Sequence, residues 1–248
     1  MAELQLPKLI ARVRFPSSAL YPHALGIVRV MPELMPIPSP GVPLAYGIVG
    51  DPLVIVLHDK YGRLPWLEPF AAALADRGGM RVLVPDLYDG VATTNGVDAS
   101  RLMSQLSDDD ARDILDAAIG AGLDECSRRV GLVGFSMGGA IALRSAQRGD
   151  ADAVVTYYAT LDSADPGIVP CPVLLHLAET DTYRPGGEPE VFLPHLRDNG
   201  TPVTAHTYVG TGHSFANATL TEKVDGRAAA LAFARTVVFL EARLSESG

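Results

Sequence analysis

The chain has 248 residues, a net charge of −9 and an apolar content of 48%, the proportions of an ordinary globular protein of one-domain length. The negative charge is spread along the sequence, which argues against a nucleic-acid partner because such a partner needs a basic face. No apolar run approaches the roughly 18 residues of a transmembrane helix, and the first residues lack the pattern of a signal peptide. We therefore expect a cytoplasmic protein with no membrane association, monomeric or homodimeric, with one domain over residues 1–248.

The first 40 residues predict an irregular lead-in, because prolines accumulate towards its end. Two strand-like stretches, 27–31 and 44–49, have no helix between them. They favour an antiparallel pair at the edge of a sheet.

From residue 53 onwards, apolar strand candidates alternate with helix candidates. The strands are predicted at 53–57, 81–85, 130–134, 153–158, 172–177 and 203–209, and the helices at 66–77, 108–119, 137–148, 188–198 and 225–243. Continuous apolar strands that alternate with helices indicate an α/β fold, with a mostly parallel central sheet flanked by helices. The stretch 158–170 is too short to hold a cap domain.

Three smaller features have mainly structural interpretations. The stretch 89–107 is rich in turn residues and predicts a long loop, either solvated or bordering a pocket. The acidic run 108–110 follows Ser107 at a helix start, where a capping hydroxyl and negative charges are favourable. Cys126 and Cys171 lack metal-type spacing, so we expect buried or half-buried free thiols.

The clearest chemical signal is the segment 134–138, Gly-Phe-Ser-Met-Gly, between a strand candidate and a helix candidate. Strand, Gly-x-Ser-x-Gly and helix form the pattern of a nucleophile elbow, in which a tight turn exposes one serine hydroxyl above a sheet. Gly134 and Gly138 suit that turn because side chains there would collide with the strand or the helix. The alternative is a plain glycine-rich turn, and we favour Ser136 as a nucleophile.

A serine nucleophile needs a base, usually a histidine held by a carboxylate, and in this layout the carboxylate and the histidine follow the serine in that order. His213 lies in a loop that leaves the last strand, whereas the other three later histidines (His176, His195 and His206) lie in predicted strands or a helix. Asp181 follows the preceding strand, and Glu179 and Asp162 are its competitors. We expect His213 as the base and Asp181 as the acid.

An acyl-transfer site also needs backbone donors for the oxyanion. The amide of Met137 follows the nucleophile at a helix start, and the second donor is expected from residues 58–62, after the strand at 53–57.

Four stretches together resemble the dienelactone hydrolase family of α/β-hydrolases. They are His58-Asp59-Lys60-Tyr61-Gly62, Pro85-Asp86-Leu87-Tyr88, Gly134-Phe135-Ser136-Met137-Gly138-Gly139 and Gly212-His213-Ser214-Phe215-Ala216. The resemblance runs from about residue 44 to the C-terminus. It implies the α/β-hydrolase fold, a triad of Ser136, Asp181 and His213, and an oxyanion hole from the amides of Lys60 and Met137.

The sequence departs from that family in three places. The usual nucleophile is cysteine, where this chain has Ser136. A glutamate that helps to generate the thiolate is common where Asp59 stands, so a catalytic role for Asp59 does not carry over. The arginines that hold a substrate carboxylate are replaced by Asp89-Gly90 and by Asn217. We therefore expect an esterase for small, neutral acyl esters with short chains.

Pocket and cofactor expectations complete the prediction. Asp59, Arg63, Trp66, Tyr88 and Phe215 are candidates to line the substrate pocket, and the last four are equally candidates for core packing. No metal or organic cofactor is required, and the partner is a small-molecule ester or lactone. Two alternatives stay open: a lactone hydrolase in which Arg63 or Arg184 supplies the missing cation, and a non-catalytic binding protein of the same fold.

Overall fold

The computed structural model describes residues 34–125, 129–162, 167–184 and 186–245. The strand predicted at 27–31, most of the lead-in predicted over 1–40, and Cys126 lie outside these ranges. A single domain over 1–248 accordingly stays a prediction. Among the described residues, no helix is both long enough and apolar enough to cross a membrane.

Nine strands and six helices are present in the described ranges. The strands are β1 (Met35–Pro36), β2 (Leu44–Tyr46), β3 (Leu53–Leu57), β4 (Arg81–Val84), β5 (Val91–Ala92), β6 (Val130–Phe135), β7 (Ala153–Tyr157), β8 (Val173–Thr180) and β9 (Val203–Gly212), and the helices are α1 (Leu67–Gly78), α2 (Gly96–Gln105), α3 (Asp108–Asp124), α4 (Met137–Gln147), α5 (Pro189–Asp198) and α6 (Gly226–Leu244). Every strand and helix predicted after residue 50 corresponds to one of them.

Seven strands form the central sheet in the order β2-β4-β3-β6-β7-β8-β9. Only β2 is antiparallel to its neighbour, and the other six strands are parallel. Strands β3, β6 and β7 are buried along their whole length. Helices α1 and α6 pack on one face of the sheet through one apolar cluster, and α3, α4 and α5 pack on the other face through a second. The predicted α/β fold is confirmed.

At one edge of the sheet, β2 pairs antiparallel with β4, Leu44 opposite Val84. The short β1 pairs with β5. The antiparallel pair predicted from 27–31 and 44–49 stays a prediction, because 27–31 lies outside the described residues.

The stretch 89–107 is not simply a loop, because it contains β5 and the ten-residue helix α2. The side chain of Asn95 caps α2 by accepting from the amides of Val97 and Asp98, and Ala99 and Leu102 bury one face. The cap and the i, i+3 spacing were present in the sequence.

Two minor predictions are confirmed. The hydroxyl of Ser107 caps α3 by accepting from the amide of Asp110 at 3.0 Å. Cys171 is a buried free thiol, and burial raises its pKa to about 12.

Parallel strands present their carboxyl ends at one edge of a sheet, which is where open α/β sheets bind ligands. The segments that follow β3, β6, β8 and β9 therefore meet at that edge. They contain the residues 58–62, 136–137, 181–184 and 213–217.

Candidate active site

Ser136 occupies a sharp turn between β6 and α4, with φ 53° and ψ −118°. A positive φ is strained for a residue with a side chain, and such strain is concentrated at functional sites. The turn is held by the Ser136 amide, which donates to the carbonyl of Tyr157 at 2.9 Å. A side chain at Gly134 would overlap the backbone of Gly138, so the two glycines allow the strand and the helix to approach. The hydroxyl of Ser136 is thereby held at the carboxyl edge.

His213 directly follows β9 and lies beside the serine. Its Nε2 is 2.8 Å from the Oγ of Ser136. The other histidines after Ser136 lie elsewhere: His176 bonds Thr236 and Tyr208 within the core, His206 stacks on His176, and His195 lies on α5.

Asp181 directly follows β8 and lies on the far side of the imidazole. Both of its carboxylate oxygens are 2.9 Å from Nδ1 of His213, and its side chain is fully buried. The two competitors point elsewhere, since Glu179 accepts from the amide of Gly210 and Asp162 is exposed. A carboxylate at Nδ1 favours the tautomer with its proton on Nδ1, which leaves Nε2 to accept from the serine hydroxyl.

Two backbone amides beside the serine have no acceptor among the described residues, namely those of Lys60 and Met137. They lie on segments in close contact, because a Cβ on Gly138 would come within 2.6 Å of the carbonyl oxygens of Leu57 and His58. Unpaired buried N–H groups are rare in proteins. Two of them next to a nucleophile match the requirement for binding an oxyanion.

The imidazole of His58 fixes the orientation of the peptide that precedes Lys60. Burial lowers the pKa of His58 to about 4, so the ring is neutral near pH 7. Its Nε2 lies 3.1 Å from the amide of Leu87, which donates to it, and its Nδ1–H consequently donates to the carbonyl of Asp59 at 2.7 Å. In a trans peptide the C=O and N–H point in opposite directions, so the Lys60 amide points away from His58.

Asp59 joins the loop after β3 to the loop after β9. Its Oδ1 accepts from the amide of Tyr61, and its Oδ2 accepts from the side-chain amide of Asn217, both at 2.9 Å. Burial raises the pKa of the Asp59 carboxyl, against the two hydrogen bonds and the positive charges of nearby groups. Asp59 therefore lies beside the site, with both oxygens already engaged in holding the two loops.

Three of the remaining pocket candidates occupy structural positions. Arg63 donates to the carbonyls of Pro38, Ser39, Val42 and Val84. Trp66 packs its ring edge-on against Phe135 at 4.8 Å, and Phe215 is completely buried against aromatic neighbours. These contacts favour the packing alternative for Trp66 and Phe215 and engage the guanidinium of Arg63 with backbone carbonyls. A pocket-lining role for the three stays a prediction.

Tyr88 does contact the site. Its hydroxyl donates to the sulfur of Met137 at 3.4 Å, and its ring lies against His58.

One contact beside the site was not indicated by the sequence. The Nζ of Lys60 lies 3.5 Å above the ring of Tyr183 and 3.3 Å from the hydroxyl of Ser100. The Tyr183 ring packs edge-on against that of His213 at 5.3 Å. These residues come from two loops and from α2, far apart in the sequence, and no local pattern pairs them.

Among the described residues, no three His, Cys, Asp or Glu side chains are placed to hold a metal ion.

A mostly parallel sheet with a strained serine between β6 and α4, a histidine after β9 and an aspartate after β8 defines an α/β-hydrolase. The family model described as the dienelactone hydrolase family matches residues 47–244, and the chain belongs to that family. It is therefore a hydrolase that cleaves ester bonds.

Individual relatives agree with this assignment. The chain is 32% identical to a carboxymethylenebutenolidase of Rhodococcus opacus, over 79% of this chain and 82% of the relative. It is 28% identical to the protein usf of Aquifex pyrophilus, over 79% and 90% of the two chains. Among solved structures, a dienelactone hydrolase-like promiscuous phosphotriesterase from metagenomic libraries superposes with a TM-score of 0.65 at 20% identity, covering 78% of this chain and 86% of that one. This last likeness shows the fold alone.

Proposed function

We propose that the chain is a serine esterase in which Ser136 is the nucleophile, His213 the general base and Asp181 the group that orients the imidazole. The proposal rests on one observation, the unbroken series of hydrogen bonds from Ser136 Oγ to His213 Nε2 at 2.8 Å and from Nδ1 to Asp181 at 2.9 Å. Distances in this range let the base take the serine proton as the hydroxyl attacks.

In the acylation half-reaction, the Oγ of Ser136 bonds to the ester carbonyl carbon while His213 Nε2 takes its proton. The carbonyl oxygen becomes an oxyanion that accepts from the amides of Lys60 and Met137. The carbon–oxygen bond to the alcohol then breaks, and the imidazolium gives its proton to the departing alkoxide. The products are the free alcohol and an ester of Ser136.

Deacylation repeats these steps with water as the nucleophile. His213 takes a proton from water, the hydroxide bonds to the acyl carbon, and the same two amides hold the second oxyanion. The bond to Ser136 breaks and the proton returns to Oγ.

We expect small, neutral esters as substrates. Asn217, at a position where the family's lactonases have an arginine, is occupied by its hydrogen bond to Asp59. Neither arginine considered as a substitute is free for a substrate carboxylate, since Arg63 donates to backbone carbonyls and Arg184 pairs with Glu188 and faces Asp181.

One observation favours a second candidate, a lactone that carries a carboxylate. The Nζ of Lys60 lies above the ring of Tyr183, which packs against His213, and it forms no ion pair with a described carboxylate. It could supply the cation that a carboxylated substrate needs. The Rhodococcus opacus relative is named a carboxymethylenebutenolidase.

The experiment that tests the proposal compares the hydrolysis of p-nitrophenyl acetate, butyrate and octanoate by the wild type and by Ser136→Ala. We expect turnover by the wild type, and a fall in kcat of about 10⁴-fold or more in the variant. Ser104→Ala, an exposed serine on α2, is the matched control and should behave as the wild type.

Two further measurements separate the alternatives. A fluorophosphonate probe should label the folded wild type and Ser104→Ala but not Ser136→Ala, whereas an unlabelled wild type would favour a non-catalytic binding protein. A dienelactone with a carboxylate, compared with a neutral ester of similar size, distinguishes the lactonase. A higher kcat/KM for the dienelactone, reduced by Lys60→Met, would favour the second candidate.

A further inference from the structure

A cavity of about 170 Å³ lies along one face of α4. Its lining includes Met137, Ala140, Ile141 and Arg144, which are spaced i, i+3, i+4 and i+7 and so share one side of the helix. Met137 follows Ser136 directly. At 1.5 Å per residue, the face runs about 10 Å from Met137 to Arg144.

The opposite wall comes from the junction of α2 and α3. Met103 and Leu106 lie at the end of α2, and Ala111 is in the first turns of α3. Their side chains are apolar, as are those of Ala140 and Ile141 across the cavity. An aliphatic chain in this space would be removed from water on both sides.

The remaining wall connects the cavity with the segment that follows Asp181. Leu161 and Gly186 line it, and the hydroxyl of Thr160 donates to the carbonyl of Gly187, which fastens the two loops together. A side chain at Gly186 would collide with the backbone of Thr160. The wall is therefore fixed by loop contacts within the carboxyl edge of the sheet.

The far end of the cavity is polar and reaches solvent. Asp108, which is largely exposed, lies 3.8 Å from the guanidinium of Arg144, and both residues line the cavity. An apolar chain that extends past Ile141 would leave its apolar surroundings there. The length of chain that gains from burial is therefore limited.

The cavity suits the acyl part of an ester better than the alcohol part. The acyl chain and the alcohol oxygen are both attached to the carbon whose oxygen would accept from the amide of Met137, the first residue of the cavity wall. The side on which the alcohol leaves therefore decides which of them enters the cavity. The alcohol leaves beside His213, which returns a proton to it, and neither His213 nor its neighbour Tyr183 lines this cavity.

We propose that this cavity is the acyl-binding pocket and that it selects unbranched aliphatic acyl groups of about four to six carbons. The apolar part of the α4 wall, from Met137 to Ile141, spans about 6 Å at 1.5 Å per residue, and this length limits the acyl chain that gains from burial. The inference rests on the proposed role of Ser136, and it makes acetate a poorer substrate than butyrate or hexanoate.

The test measures kcat/KM for p-nitrophenyl esters from acetate to decanoate in the wild type and in Ala140→Leu. In the wild type, kcat/KM should rise about fourfold for each methylene buried, the equivalent of about 0.8 kcal/mol, and stop rising near hexanoate. Ala140→Leu fills the cavity and should lower kcat/KM for hexanoate by about tenfold or more, with acetate little changed. Ala242→Leu, an exposed alanine on α6, is the matched control.

A second variant on the other wall guards against a local disturbance of α4. Met103→Trp, on the partly exposed face of α2, should also penalise hexanoate and spare acetate. Alkyl butyrates with methyl to hexyl alcohols should lose the same factor in Ala140→Leu, whatever the alcohol.

Three results would overturn the assignment of the cavity. In the first, Ala140→Leu and Met103→Trp lower acetate and hexanoate equally. In the second, their effect follows the alcohol chain and not the acyl chain. Both leave the esterase proposal intact, because the wild type is active through Ser136. In the third, the wild type is inert towards every ester and unlabelled by fluorophosphonate, and the esterase proposal fails together with the pocket.

Discussion

Two loops at the carboxyl edge of the sheet differ sharply in how they are held. The oxyanion loop, residues 58–62, is buried throughout, and none of its side chains is more than 6% exposed. The acid loop, residues 181–184, lies at the surface, with Thr182 and Tyr183 exposed. Only the carboxylate of Asp181 is fully buried, where it meets His213.

The hydrogen bonds of the two loops follow the same division. The oxyanion loop is fixed by the ring of His58, by Asp59 with its bond to Asn217, and by the amide of Thr93, which donates to the carbonyl of Tyr61. The acid loop positions Asp181 mainly through the amide of Tyr183. A backbone amide cannot be reoriented by a side-chain rotation, so its direction depends on the residues that hold its peptide. A carboxylate at the end of a rigid strand is positioned mainly by that strand. Changes in the oxyanion loop should therefore reduce stability and activity together, and changes in the acid loop activity alone.

The largest effect is expected for Asp181→Asn. The amide cannot favour the productive tautomer of His213 or stabilise the imidazolium, and kcat should fall by about 10⁴-fold. The free energy of unfolding should fall by about 1 kcal/mol at most, because the shape is kept and one hydrogen bond is weakened. Steady-state kinetics and urea unfolding measure the two quantities on the same preparation.

Glu179→Gln is the matched control, since it makes the same change two residues earlier and keeps an oxygen to accept from Gly210. Its kcat should equal that of the wild type. If Asp181→Asn keeps the wild-type kcat, or if it loses folding and not kcat, the proposed difference between the two loops is contradicted.

A smaller but double effect is expected for His58→Ala in the oxyanion loop. It leaves the amide of Leu87 without its acceptor and frees the peptide before Lys60. Each buried group left unpaired costs about 1–3 kcal/mol of stability, and a displaced oxyanion donor costs about 10²–10³ in kcat. Thermal unfolding and kcat should fall together. His195→Ala on α5 is the control, and a stable His58→Ala variant with reduced kcat would contradict the coupling.

The pH dependence of stability tests the same comparison through a smaller change in the free energy of unfolding. Burial lowers the pKa of His58 from 6.5 to about 4 and that of His176 from 6.5 to about 3. The unfolded chain binds protons at these residues below pH 6.5, whereas the folded protein does not. Their stabilising contribution is therefore complete above pH 6.5 and is lost, by about 1.4 kcal/mol per pH unit for each histidine, as the pH falls towards 4.

Asp59 acts in the opposite direction, because its raised pKa lets the folded protein bind a proton more readily than the unfolded chain. The contribution of Asp59 is present at low pH and is lost as the pH rises through its raised pKa. Urea unfolding at several pH values should give a shallower dependence between pH 6.5 and 4.5 in His58→Gln than in the wild type. Equal slopes would contradict a buried, neutral His58.

The sequence was sufficient for those parts of the site that depend on local backbone. The strands, the turn at Ser136 and the placement of loops after β8 and β9 follow from apolar periodicity and from the rule that parallel strands end at one edge. The same reasoning predicted that Asp181 and His213 are partners, and the two side chains lie within hydrogen-bonding distance. Their catalytic roles stay predictions.

Contacts between distant segments could not be predicted. The Asp59–Asn217 hydrogen bond joins residues 158 positions apart, and nothing in either segment specifies the other. Likewise, whether Trp66 and Phe215 line a pocket or the core depends on which helices cover them. The prediction of a loop over 89–107 was wrong for a different reason. Both the cap and the apolar spacing of α2 are local features of the sequence, in a stretch that is also rich in turn residues.

The smallest effect is expected for Tyr158→Phe. The hydroxyl of Tyr158 lies near Asp59 of one loop and Asp181 of the other. The Tyr158 hydroxyl is buried without a hydrogen-bond partner among the described residues. Its pKa is raised well above the ordinary value, first by burial and then by the charges of Asp59 and other groups, Asp181 among them. The ring packs against His213 at 4.9 Å, and phenylalanine keeps that contact.

Because an unpaired buried hydroxyl contributes nothing to folding, its removal should leave stability unchanged or slightly increased, with kcat within about twofold of the wild type. A tenfold fall in kcat at unchanged stability would mean that this hydroxyl acts between the two carboxylates during the reaction, and the two loops would then be one catalytic unit.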